Sequence, residues 1–482
     1  MDKYFSEEFI LKGFFKKELI VKSFDVIIIG GGPGGYIAAV RAGQLGKSVG
    51  LVEELKLGGV CLNRGCIPTK AVLKSAHSVH ELKDFKSLGI NIDVKSLDGG
   101  VAVKRATQIA DRISKGVAFL MKKNNVTVLP GRATLKSKNT VAVKSDKGHS
   151  ETYEAQNIII ATGAHYKSFP GLEHDGERLI GAWEAIKMES LPKSIGIIGG
   201  GAIGVEFAYF WNAFGVDVHI FELQKNILPI EDEDCSKEVE KAYKKYGIKM
   251  SLGIGGVIAK NNGKDVTITA IENAKPVDYH FEMALIAVGM TGNIDNIGLA
   301  AVGVKTDRGF IDVDDNYETS VPGIFAIGDV AGPPLLAHAA SHEGVIAAEK
   351  IAGLTPHALD KMNIPGCTYC QPQVASVGYT ERALKEQGIA YKVGKLPFMA
   401  NGKAVASNEK EGFCKVLMGE HGEMLGAHIV GTQATELIHE YVLFRQMEGI
   451  DEEMFATVHP HPTLGEWLAE SVMAAKGRAL NF

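Results

Sequence analysis

The sequence predicts an α/β fold in which two nucleotide-binding parallel-sheet units are followed by a C-terminal α+β domain. Three observations carry that expectation. A strand, glycine turn, helix and second strand occur in that order twice, near residue 30 and near residue 199. Residues 361–482 change character, from buried apolar strands to short alternating ones followed by helices. A chain of 482 residues is also too long for one compact core and has room for about three domains.

The first copy is "FDVIIIGGGPGGYIAAVRAGQLGKSVGLVEE". It reads as an apolar strand from Phe24 to Ile29, a glycine turn, a helix from Pro33 and a second strand ending at Glu53. Gly30 permits the tight turn, Gly32 lets the backbone approach a pyrophosphate, and Gly35 lets helix and strand pack closely. The helix start offers unpaired N–H groups and partial positive charge to phosphate. Glu53 follows Gly30 by 23 residues, where a carboxylate can accept hydrogen bonds from ribose hydroxyls. The second copy, "KSIGIIGGGAIGVEFAYFWNAFGVDVHIFEL", repeats this with Gly199, Gly201, Gly204 and Glu222, the acid again 23 residues on. One such motif is weak evidence for a site. Two in step predict two Rossmann-like dinucleotide-binding domains.

Further elements extend this plan. "NIIIATGA" at 157–164 is another buried strand ending in a glycine turn, and "TSVPGIFAIGDVAG" delivers Asp329 at the carboxyl end of a strand from Ile324 to Ile327. Ligands of open parallel sheets gather at that edge, so Asp329 suits a sugar-alcohol chain such as the ribityl of a flavin; an ordinary turn aspartate is the plainer reading. A helix is expected from Thr432 to Met447 in the C-terminal region. The expected order is a leader (1–22), a first nucleotide domain (23–165), a nested second one (166–290), a return to the first (291–360) and a mixed α+β domain (361–482).

Bulk composition narrows the function. Apolar residues are 45% and charged ones 23%, as in folded soluble domains, and Lys+Arg 52 against Asp+Glu 57 leaves no basic surplus to neutralise nucleic acid. No apolar run reaches the roughly 18 to 20 residues of a membrane span. The first 23 residues lack the composition of a secretory or transit segment, so the protein is expected in the cytoplasm. Phe5, Phe9, Ile10, Phe14 and Phe15 could stripe a short amphipathic helix, although a variable leader is the simpler expectation.

Six cysteines in a cytosolic chain do not suggest a disulfide scaffold, yet Cys61 and Cys66 stand five apart in "GGVCLNRGCIPTKA". Five residues of ideal helix rise about 7.5 Å, beyond the usual Cα separation of a disulfide, ~4.4 to 6.8 Å. A bridge therefore needs a bent turn, which Gly58, Gly59, Gly65 and Pro68 would permit. A strained, accessible disulfide suits exchange. A zinc site would want four ligands at finger-like spacing, which are not evident, so no metal is expected; two unpaired thiols remain the plain alternative. Exchange needs a base, because the thiolate attacks. "TVHPHPTLGEWLAES" supplies His461 and, five residues on, Glu466, whose carboxylate can turn back to one ring nitrogen and raise the basicity of the other. His459 is read as structural.

With these residues in place the chain resembles the flavin-dependent pyridine-nucleotide disulfide oxidoreductases, most closely the dihydrolipoamide dehydrogenases. The resemblance runs from Phe24 to the end and rests on "GGGPGGYIAAVRAGQLG", "GGVCLNRGCIPTK", "GGGAIGVEFA", "FAIGDVAG", "LLAHAASHEG", "QPQVASVGYTE" and "HPHPTLGE". It implies FAD in the first site, with Glu53 on the adenosine ribose, Lys70 beside the flavin, Asp329 on the ribityl chain, and backbone contacts near Ala133 and Ala337. It implies NAD in the second, using Gly199 to Glu206, Glu222, Val257 and Gly289. Glu222 favours NAD, because NADP-linked relatives usually carry a basic residue there.

The implied cycle has a lipoyl dithiol attack Cys61 while His461 accepts its proton, leaving Cys66 as thiolate against the flavin, with hydride passing finally to NAD⁺. The resemblance also implies a homodimer through the C-terminal domain, in which His461 and Glu466 serve the partner's cysteines. Its expected partner is a lipoyl-bearing acyltransferase or carrier protein of a 2-oxoacid dehydrogenase or glycine cleavage complex. The alternatives are a glutathione-type or mercuric reductase, or a non-catalytic nucleotide-sensing flavoprotein. Three departures from the pattern stand out: Val60 where relatives commonly have Thr, "AVGMTGN" without the usual arginine, and an extra pair, Cys367 and Cys370, in "CTYC". That pair precedes a sheet, is expected away from the nucleotide turns, and reads as two ordinary thiols.

Overall fold

The computed structural model describes residues 22–482. The leader stripe at Phe5 to Phe15 lies outside the described residues. Lys22, assigned to the leader, already opens the first strand, Lys22–Ile29.

That strand is the middle of the first sheet. It pairs in parallel with Val49–Glu53 on one side and Ser150–Ile160 on the other. Thr127–Pro130 extends the sheet beyond Val49–Glu53, and Ile324–Ala326 returns from far along the chain to pair in parallel with Ser150–Ile160. Thr140–Lys144 and Arg132–Ser137 complete it in antiparallel fashion. Val26, Ile27 and Ile28 are fully buried, as a strand covered on both faces requires. Helix Pro33–Gln44 packs on this sheet and against helix Ala337–Ile351.

The second unit repeats the plan. Its parallel sheet runs Lys249–Leu252, Asp217–Glu222, Ser194–Ile198, Met283–Ile286, Leu179–Ile180. Helix Ala202–Ala213 lies on one face, with Phe207 and Trp211 in the core. A three-stranded antiparallel sheet, Val257–Asn261, Val266–Glu272 and Lys275–Phe281, covers the other, with Ile268 and Phe281 packed on Ile198 and Phe221. The chain enters and leaves this unit through a two-stranded ribbon, Ala164–Tyr166 with Met290–Gly292.

The C-terminal domain is a five-stranded antiparallel sheet ordered Gly366–Thr368, Gln373–Gly378, Met424–Gly431, Phe413–Met418, Lys392–Pro397. Helices Ala434–Gln446 and Glu466–Ala475 back it. The alternating pattern expected for these strands fails at Phe413–Met418, where every residue is buried. The reason is a second covered face. Phe413, Val374 and Val430 share a core with Trp211 and Tyr243 of the second unit. In this seam Lys415, 1% exposed, is held by Asp232 at 2.7 Å, Asp234 at 2.9 Å and Glu381 at 2.6 Å. Among the described residues, no helix is long and apolar enough to cross a membrane.

Candidate active site

Both glycine turns fold alike. Gly30 and Gly199 adopt φ of +109° and +108°, a region that strains any residue with a Cβ. Gly35 and Gly204 bring the following helix against them: an added Cβ would lie 1.9 Å from the Gly30 carbonyl oxygen and 2.0 Å from that of Gly199. Gly32 and Gly201 cap the two helices and offer no side chain to the first-turn N–H groups, which stay free for an anion. Each acid is tied to its own turn. Glu53 Oε2 accepts the Gly31 N–H at 2.8 Å, and Glu222 Oε2 accepts the Gly200 N–H at 2.7 Å.

A cavity of about 720 Å³ begins at the first turn, in the upper half of the roughly 300 to 1,000 Å³ usual for ligand pockets. Glu53 and Ala133 line it, as do Cys61, Cys66 and Lys70, and Asp329 and Ala337. Burial pushes the Asp329 carboxyl above its ordinary range, and no hydrogen bond or charge pulls it back.

The two cysteines meet because the helix breaks between them. Helix Gly59–Arg64 stops at Gly65, whose φ of −135° and ψ of −114° are not helical, and helix Cys66–Glu81 starts at the next residue. The break brings the Cα atoms to 4.7 Å, and Cys61 and Cys66 form a disulfide whose two ends are both half-buried on the cavity wall. One turn further along the same helix, Lys70 Nζ lies 3.1 Å from both carboxylate oxygens of Glu206. Glu206 belongs to the second unit, but its carboxylate faces the cysteine cavity and is committed to this lysine.

The second turn has different surroundings. Gly199, Gly201 and Gly204 open helix Ala202–Ala213, and Glu222 ends the next strand, itself buried. Val257 begins the covering sheet, and Gly289, at φ +112°, stands where the chain leaves the unit. Ala202 and Ile203 also line the cysteine cavity, so the helix that starts at the second turn reaches the cavity that starts at the first.

His461 and Glu466 do pair. His461 Nδ1 lies 2.9 Å from Glu466 Oε1, while Oε2 accepts the Thr463 N–H at 2.8 Å. Burial pushes the Glu466 carboxyl up, but that amide and the imidazole outweigh it and hold it below the usual range. The imidazole is 78% exposed, has no partner at Nε2 among the described residues, and does not line this chain's own cavity. His459 is spent internally, its Nε2 2.7 Å from Glu440 Oε1.

One expectation needs correction. Cys367 does not precede the C-terminal sheet but lies in its edge strand, Gly366–Thr368, and lines the cavity that begins at the first glycine turn. The sequence hides this because the strand sits some 300 residues from the disulfide and is brought there by the seam between domains. Both cysteines of the extra pair are free thiols; burial pushes Cys367 up to about 11 and Cys370 higher, which keeps them protonated. Sequence reasoning also missed Tyr166, Trp183 and Tyr369. Tyr166 and Trp183 line the cavity with ring centroids 4.6 Å apart, and the Tyr369 ring lies 4.3 Å from Lys70 Nζ. Only Tyr369 had a local signal, as the aromatic inside "CTYC".

Comparisons with known proteins agree with this geometry. Residues 24–344 match the pyridine nucleotide-disulphide oxidoreductase family, and residues 364–472 match its dimerisation domain. A dihydrolipoyl dehydrogenase from Zymomonas mobilis is 45% identical over 463 residues, covering 95% of this chain and 99% of that protein. Another from Bacillus subtilis is 40% identical, covering 95% and 99%. The crystal structure of LpdA from Mycobacterium tuberculosis superposes with a TM-score of 0.87 at 25% identity, covering 95% and 99%. With matches that span nearly its whole length, this chain belongs to the pyridine nucleotide-disulphide oxidoreductase family.

Proposed function

We propose that this protein is a dihydrolipoyl dehydrogenase that oxidises protein-bound dihydrolipoamide to lipoamide, with FAD and NAD as cofactors. The observation that carries the reading is a redox-capable disulfide on the wall of the cavity that starts at the first glycine turn. The residues present fit FAD. Free N–H groups and Gly32 would meet its pyrophosphate, Glu53 its ribose, and the desolvated Asp329 its ribityl hydroxyls, with Lys70 beside the ring. The second turn and Glu222 fit NAD, with Val257 and Gly289 as its proposed further contacts, and a buried carboxylate there disfavours a 2′-phosphate. When bound, FAD accepts two electrons from the reduced cysteine pair and NAD⁺ carries them away as hydride.

This chain's own residues handle sulfur and protons. A dithiol sulfur attacks Cys61, the Cys61–Cys66 bond breaks, and Cys66 leaves as a thiolate; a second attack releases the oxidised lipoyl ring and leaves both cysteines reduced. His461 Nε2 takes the thiol proton, because Glu466 occupies Nδ1 and stabilises the imidazolium. The exposure of this pair within one chain supports a homodimer in which each chain presents it to its partner's disulfide, and the dimerisation domain supports the same arrangement. A lipoyl-bearing acyltransferase or carrier protein is the proposed partner. Four cysteines kept as free thiols suit a cytoplasmic setting. The test is steady-state assay of the FAD-loaded protein. Rapid turnover is expected with dihydrolipoamide and NAD⁺; turnover with glutathione disulfide and NADPH, and none with lipoamide, would overturn the proposal.

A further inference from the structure

The Lys70–Glu206 pair is held by a third residue that the reaction as described does not use. Tyr369 donates its main-chain N–H to Glu206 Oε1 at 2.8 Å, and its ring centroid lies 4.3 Å from Lys70 Nζ. Lys70 comes from the first unit, Glu206 from the second, and Tyr369 from the C-terminal domain. We propose that Tyr369 is a positioning residue that fixes the Lys70–Glu206 pair at the cavity, its amide holding the anion and its ring holding the cation.

The chemistry of the three groups explains why such a clamp is needed. A lysine ammonium is a compact charge on a flexible four-carbon stem with strong hydration, so a single carboxylate leaves it free to swing toward water. Lys70 is a third exposed and open to that motion, whereas Glu206 is almost fully buried. A ring face within about 6 Å attracts the ammonium through its quadrupole and limits where it can point. Tyr369 is itself anchored, packed against the core shared by the second unit and the C-terminal sheet. Cys367, two residues earlier, lines the same cavity, so this strand and the turn after it form a wall of the site belonging to the same chain. The "CTYC" segment thus acts through its tyrosine and not through its thiols.

The inference rests on the flavin-disulfide reading, and the experiment separates the two. The FAD-loaded full-length protein and its Tyr369→Phe, Tyr369→Leu and Tyr369→Met variants are compared by flavin content and by the potential of the two-electron couple. A fixed ammonium beside the ring favours the electron-rich state. Removing the aromatic face should therefore make reduction less favourable by about tenfold, the size of a partly desolvated cation–ring contact, or about 30 mV for a two-electron couple. Tyr369→Phe, which keeps ring and amide, should stay within about twofold of the parent protein by the same reasoning. In a Lys70→Ala background, Tyr369→Leu should add no further shift.

Four results would overturn the inference: parent-like potentials in the Leu and Met variants, a Phe variant shifted as far as they are, a Leu effect undiminished without Lys70, or loss of FAD from both Leu and Met variants while Phe retains it. The last would make the tyrosine a support of the cavity. If the parent protein fails to be reduced by dihydrolipoamide at all, the functional reading falls instead.

Discussion

The two glycine turns are near copies in backbone and differ in what lies over them. Gly30 and Gly199 agree within one degree in φ, and each turn ties an acid to its middle N–H. Over the first turn the chain lays helix Gly59–Arg64. The Gly58 N–H donates to the Gly31 carbonyl at 2.8 Å, and a Cβ on Gly59 would fall 2.6 Å from Gly32 Cα. Among the described residues nothing lies within 4 Å of a Cβ built on Gly201, and Ala202 and Ile203 beside it are exposed. The first turn is therefore enclosed and suited to a resident cofactor, while the second is open and suited to one that comes and goes. Because the covering helix also carries Cys61, closing the first site and placing the disulfide are one structural event.

The largest effect should come from the covering segment. Cys66→Ser should reduce lipoamide turnover to background while FAD stays bound, read by steady-state assay and flavin absorbance; retained activity would break the link between closure and chemistry. Next, the open second unit is firmly fastened even though its site is exposed. Lys415→Ala leaves Asp232 buried and unpaired and should cost about 3–5 kcal/mol in denaturant unfolding. His461→Gln should lower turnover by about 10²-fold or more with unchanged stability, because its ring is exposed.

A pair of glycine substitutions tests the comparison most directly. Gly59→Ala forces the covering helix off Gly32 and should weaken FAD retention and cost about 1–3 kcal/mol. Gly201→Ala has room for its methyl and should leave the melting temperature unchanged while raising KM for NAD⁺. Equal melting shifts in the two variants would remove the distinction between an enclosed and an open turn.

The smallest effect is expected in acid. Burial pushes the Asp234 carboxyl up, but Lys395 and Lys415 outweigh it and hold it at about 2 against an ordinary 3.8. A depressed carboxylate stabilises the fold above its unfolded value, so this contribution should fade as pH falls from about 4 to about 2. Lys415→Met should flatten that part of a melting profile.

Much of this was legible because it is local. The glycine turns, their acids and the disulfide each lie within one short stretch, and Gly65 between Cys61 and Cys66 is a visible place for a helix to break. Glu466 is five residues from His461, near enough in sequence to be found. The contacts that were missed are long-range: Lys70 meets Glu206 from 136 residues away, and Tyr369 reaches Glu206 from 163.

By itself the sequence determined where the two glycine turns and their acids stand and where a helix break could bring Cys61 and Cys66 together, because backbone conformation and near-neighbour chemistry decide those matters within a few residues. Only the tertiary structure decided that one turn is covered and the other open, that Cys367 lies on the cavity wall, and that three domains converge on Lys70. The physical reason is that such contacts follow from how buried apolar faces pack between domains, and the segments that meet there carry no shared pattern along the chain.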